Sequence, residues 1–251
     1  MNDLLTLSAT TLGIFLIVLL RYFFTAGAAC WFCWVVKRDQ LGHRRIDSTF
    51  ATGSSPVADS PAQSRDGARS GFRLQIRNEI FHSVVTSVIF AVAGALLLLA
   101  CQGGWTRVYL DMPRHGWGSF IASFWIAAFI HETYFYWTHR WMHLPRFFKP
   151  VHRVHHDSKI PTPWAAFSFH PWEALIEALI LPLIVFIMPL HPAVILANLT
   201  FMTVLGVINH TGYELYPRGF ARNIFWKHWM GIQHAEYEQS YEALHARRFS
   251  S

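Results

Sequence analysis

Residues 139–156 read HRWMHLPRFFKPVHRVHH, from His139 to His156, and set five histidines within eighteen positions. His139 and His143 are four apart, so on a helix they share one face, one turn from each other. His152, His155 and His156 follow the i, i+3, i+4 spacing that turns three imidazoles to one side of a helix. Neutral imidazole is the commonest metal-binding side chain near neutral pH. A polar helix end resting on anionic lipid would account for one or two of these residues. It does not account for five at two ligand spacings, and the stretch is read as a metal site.

Histidines without thiolates suit zinc, copper, iron or nickel, and donor type alone does not choose among them. His170 and His210 are the next candidates, because each lies at the boundary of an apolar hairpin. Glu132 lies seven residues before His139, on the same helical face two turns deeper. A carboxylate there can orient a ligand imidazole or bind metal itself. An ionisable residue inside a bilayer helix is also a functional candidate by default. Glu173 is expected to orient His170, or to sit as a carboxylate at a helix N-terminus.

The chain has 251 residues, 53% hydrophobic and 16% aromatic, with only 14% charged. Its apolar runs approach or exceed the ~20 residues needed to cross a bilayer. That excludes an ordinary soluble domain. The net charge of +6 lies largely in loops flanking apolar runs, where lipid and topology explain it without nucleic acid. Three cysteines imply no disulfide framework, and Cys30 and Cys33 sit in an apolar run as packing residues.

Leu4 to Val36 is mostly apolar, broken by Arg21. It lacks a basic segment before the apolar run, so a retained first membrane helix is expected rather than a signal peptide. Ser48 to Gly71 is rich in Ser, Ala, Gly, Asp and Pro and reads as a flexible connector. A second apolar helix is expected from about Ile80 to Cys101, and a third from about Ser119 into the histidines. From Trp172 to Ile208, two apolar runs are split by Pro189-Leu190-His191-Pro192, which suits a helical hairpin with His191 at its tip. The Lys/Arg excess of the connector places it, and with it the histidines, on the cytoplasmic side. The expected fold is all-α: a multi-pass membrane bundle of about four to five apolar helices with a cytoplasmic histidine-rich helical cap. Three regions are expected: residues 1–79 as first helix and connector, 80–225 as the membrane domain, and 226–251 as a C-terminal tail. The membrane is the inner or plasma membrane in a bacterium, the endoplasmic reticulum in a eukaryote.

HETYFYWTHRWMH followed by VHRVHH resembles the first two histidine boxes of the fatty acid hydroxylase/sterol desaturase family. His170-Pro171-Trp172-Glu173 and Asn209-His210-Thr211-Gly212 resemble two later signatures, so the likeness covers about residues 70 to 225. The resemblance implies an integral-membrane oxidoreductase that uses O2 to hydroxylate or desaturate a fatty acyl or sterol-like lipid. It implies two non-haem iron ions and electrons from a separate donor protein. The family closes with a further HxxHH box. Here Asn223 to Ser251 carries His228, His234 and His245 without that spacing, an atypical or truncated closing box. Either His228 and His234 substitute as ligands, or the chain is a catalytically impaired metal-binding relative.

No Gly-rich dinucleotide fingerprint and no P-loop occurs, in keeping with an external electron source. A haem electron carrier is the rival redox class. It needs single axial imidazoles on facing helices rather than clusters at helix ends.

Overall fold

The structure is a computed structural model, and it describes residues 2–41, 62–213 and 215–216; the side chains of 2–4, 62–69 and 112–115 fall outside that description. His228 and His234 lie outside the described residues, as does most of the connector.

Among the described residues the fold is helical, with no extended strand; Val108 and Leu190 form an isolated parallel β-bridge. Six helices build it: α1 Asn2–Cys30, α2 Ala62–Gln102, α3 Met112–Met142, α4 Pro171–Ala178, α5 Ile180–Ile187 and α6 Pro192–Asn209. Among the described residues, three stretches are long and apolar enough to cross a membrane: Leu5–Val36, Ser70–Gln102 and Pro192–Asn209. Helix α3 and the α4–α5 pair complete the bundle beside them. Histidine, Glu132 and Arg140 lower the hydropathy of α3, and the break at Leu179 divides the hairpin's first arm into two eight-residue helices.

Helix α2 begins at Ala62, inside the stretch read from sequence as connector. Its first residues, Ala62-Gln63-Ser64-Arg65, include good helix formers that extend a membrane helix beyond its apolar part. Gly116, at φ 69°, kinks α3, and the helix runs on from Trp117 close to the expected start.

Helices α1 and α2 pack closely; a Cβ at Gly94 would come within 3.2 Å of Ile14 Cγ2. Tyr22 is fully buried, donates to Trp164 O at 2.7 Å and stacks on Phe167. The short 3-10 turn Pro163–Phe167 is thereby held against α1 and α2. Thr162 Oγ1 donates to the buried Glu79 carboxylate at 2.6 Å, and Gln75 Nε2 donates to Ile160 O at 2.8 Å. Trp34 Nε1 donates to Thr211 O at 2.9 Å, tying the end of α1's span to the end of α6. At the other end, Arg107 N–H and Tyr109 N–H donate to Val185 O and Leu190 O, fixing the α2–α3 loop to the hairpin tip. His191 is at that tip, capping α6 and lying between the rings of Tyr109 and Phe120. The C-terminal ends of α3 and α6 and the N-terminal end of α4 meet at the first of these two ends.

Candidate metal centre

The histidine stretch is not one continuous helix. Helix α3 stops at Met142, His143 is its C-cap, and Pro145 opens a separate turn. The chain then runs through a π-helical turn, Phe148–His152, into an α-helical turn, Arg153–His156. Pro145 and Pro150 lack the N–H that a continuous ladder would require. This reversal folds the second box back over the first.

His139, His143 and His152 come together, with one nitrogen of each within 4.8 Å of the others. The Nε2 atoms of His139 and His143 are 3.0 Å apart. His156 joins them, its ring centroid 4.9 Å from that of His143 and 4.7 Å from that of His152. His155 turns the other way, towards His210, where the Nε2 atoms are 3.1 Å apart. The HxxHH spacing therefore distributes its imidazoles over two adjacent groups instead of one.

Hydrogen bonds fix several tautomers. A carboxylate or carbonyl oxygen only accepts, so a ring nitrogen against one carries the proton. His152 Nδ1 donates to Glu173 Oε1 at 2.8 Å, both side chains being buried. His210 Nδ1 donates to Gly206 O at 2.6 Å, and His155 Nδ1 to Ser168 O at 3.3 Å. In all three the Nε2 lone pair is left for the cluster. Burial, reinforced by the imidazoles of His139, His155, His156 and His143, holds His152 far below the ordinary histidine range. Its short contact with Glu173 is thus a hydrogen bond from a neutral ring, not a pair of full charges. Neutral imidazole backed by a carboxylate is the form in which histidine binds metal.

The donor set fits transition-metal ions. Two nitrogens bound cis to one ion at about 2.1 Å lie roughly 3.0 Å apart, close to both Nε2 separations. For His155 and His210 the fit is sharper, because two lone pairs facing at 3.1 Å repel unless a cation lies between them.

Other expected residues are placed differently. His170 caps α4, its Nδ1 accepting from Trp172 N–H at 3.3 Å, and its charge neighbour is His82. Partial burial lowers its pKa. It is not among the ring contacts that unite the other six histidines. Glu173, expected to orient His170, orients His152 instead, because the first turn of α4 rotates it inward, away from its cap. Glu132 is buried, 3.6 Å from His131 Nδ1, and neighbours Glu177 of α4. Glu177 escaped the sequence reading: in an apolar hairpin only its i+4 spacing from Glu173 hinted at an inward face.

A cavity of about 220 Å³ opens from the centre into the bundle. His155, His210 and Glu173 line it, with Glu132, Glu177 and apolar residues such as Phe90, Leu97, Leu181 and Leu199. An apolar body held there lies against the histidines.

Comparison with known proteins bears on this geometry. The family model described as fatty acid hydroxylase matches residues 124–250. The chain is similar to lathosterol oxidase of Rattus norvegicus, 30% identical over 148 residues, covering 58% of this chain and 50% of the relative. It is similar to a Delta(7)-sterol 5(6)-desaturase of Aspergillus fumigatus, 33% identical over 142 residues, 56% of this chain and 42% of the relative. The corresponding Saccharomyces cerevisiae desaturase is 31% identical over 114 residues, 45% of this chain and 31% of the relative. The chain thus spans about half the length, or less, of these relatives. No solved structure matches.

Proposed function

Because the chain belongs to the fatty acid hydroxylase family, we propose that it is a membrane-bound oxidoreductase that hydroxylates or desaturates a fatty acyl or sterol-like lipid with O2. The observation that carries this reading is the His155–His210 pair lining one apolar cavity, with the group of His139, His143 and His152 beside it. Sterol-oxidising relatives support a lipid as substrate.

Two non-haem iron ions are proposed, one held by His139, His143, His152 and His156, the other by His155 and His210. His170, His228 and His234 are proposed to complete the set. Iron supplies the redox chemistry that attack on an unactivated C–H bond requires and that zinc does not offer. The chain's own residues do the rest. Glu173 keeps His152 in the ligating tautomer, and Ser168 O and Gly206 O do so for His155 and His210. The apolar wall excludes water and presents the lipid. Glu132 and Glu177, two adjacent buried carboxyl groups, line the cavity beside the histidines. Electrons come from a separate donor protein, received on the basic cytoplasmic face around Arg140, Arg146 and Arg153. The domain division at residues 79 and 225 is retained as part of this proposal.

The test is the purified full-length protein. About two irons per chain, and lipid-dependent O2 uptake with a chemical reductant, are expected. Lipid analysis of cells with and without the protein identifies the substrate. Zinc as the native metal, or a Soret band, sinks the reading. The tail without HxxHH favours a second reading, an impaired metal-binding relative. That reading wins if a chain cut after Arg222 holds the same metal and neither form turns over lipid.

A further inference from the structure

Arg21 has no role in the centre just described, yet it lines the same cavity. It is 16 residues from Leu5 and 15 from Val36, in the middle of the first span. At about 1.5 Å per residue, either end is more than 20 Å away, beyond the reach of a side chain that snorkels. Ile14, Val18 and Arg21, spaced four and three apart, form one face of α1 and all three border the cavity. The guanidinium Nε is enclosed, and among the described residues nothing accepts a hydrogen bond from it. The cavity's carboxylates, Glu132, Glu173 and Glu177, are on α3 and α4, whereas α1 packs chiefly on α2, α6 and the 3-10 turn; none of them pairs with Arg21.

Arg21 is partly buried, and an enclosed guanidinium nitrogen with no acceptor is costly; in a membrane helix such an ionisable residue marks a ligand pathway by default. Guanidinium matches an oxyanion through paired N–H donors. We propose that Arg21 is a specificity-determining anchor: it binds the oxyanionic head, carboxylate or phosphate, of a lipid whose apolar body fills the cavity. The carboxyl groups on α3 and α4 offer such a head no counter-charge, whereas the α1 side offers the Arg21 guanidinium. With the head held at Arg21, the carbon that reaches His155 and His210 is set by its distance from the head. This inference rests on the lipid-oxidising reading for its biological meaning, but not for its test.

The test is equilibrium binding of palmitate, hexadecyl phosphate and hexadecanol to the full chain in detergent at pH 8, with iron content measured on the same samples. One charge-assisted interaction predicts that the anionic lipids bind roughly ten- to a hundredfold more tightly than the alcohol. Arg21→Gln abolishes that preference while leaving hexadecanol binding, and Arg21→Lys keeps part of it. The ratio of palmitate to hexadecyl phosphate identifies the head. Equal binding of all three lipids to the wild-type chain overturns the proposal, as does a preference that survives in Arg21→Gln. If Arg21→Gln does not fold, the wild-type comparison and its weakening by salt decide. Iron-free protein with the anion preference intact sinks the oxidoreductase reading alone; iron-loaded protein without the preference sinks the anchor alone.

Discussion

His155 and His210, 55 residues apart in sequence, face each other through Nε2 atoms 3.1 Å apart while each donates its Nδ1 proton to a backbone carbonyl. While both rings are neutral neither can donate to the other, and the separation of the facing Nε2 atoms fits two nitrogens on one metal ion. His139 and His143, at 3.0 Å, belong to the neighbouring group.

From this division, His210→Ala and His143→Ala each lower metal content from about two ions per chain to about one, because each removes a ligand from a different group. Elemental analysis of the purified variants checks it. Unchanged content in both would show that neither residue holds metal.

Glu173→Gln keeps the shape of α4 but weakens the acceptor for His152 Nδ1. Metal affinity falls about 10- to 100-fold, the range typical for loss of a partner that orients a metal-bound histidine. Competition with a chelator measures it. His170 serves as comparison: His170→Asn preserves a cap for α4, and its effect on affinity separates capping from ligation.

The metal-free protein should lose stability on acidification. His152 has a pKa far below the ordinary value of about 6.5, to which it returns on unfolding. Below that value the unfolded chain binds the proton and the folded one does not, so stability is full above pH ~6.5 and falls by about 1.4 kcal/mol per pH unit beneath it. Thermal melts of stripped protein between pH 8 and 5 test the sign. His152→Gln should flatten the slope.

Gly212 couples the fold to the centre. Its φ is +77°, and a Cβ there would come within 2.6 Å of Pro161 O, a backbone atom that cannot swing aside. Gly212→Ala should cost about 2 kcal/mol or more from strain and overlap. It should also displace the segment that begins at His210, so metal loss should be confined to the His155–His210 group.

Topology follows from loop charge. A cysteine at Ser55, in a background free of other cysteines, should resist an impermeant label in intact cells and react after lysis. Labelling from outside would place the connector, and the histidines with it, on the opposite face.

The sequence by itself determined the membrane class, the hairpin after Trp172 and the clustering of histidines at ligand spacing, because hydropathy and residue spacing are local properties. It also showed Arg21 as a charge inside an apolar run. Only the tertiary structure decided how those residues divide. The turn through Pro145 and Pro150 folds the second box onto the first, so His152 and His155, three positions apart, face different neighbours. His155 meets His210 because α6 returns to the same end of the bundle, a long-range contact that no local period encodes. Glu173 serves His152 rather than its near neighbour His170 for the same reason: helix rotation in a packed bundle chooses partners across space. Arg21 acquired a setting in the same way, when six helices closed a cavity around it.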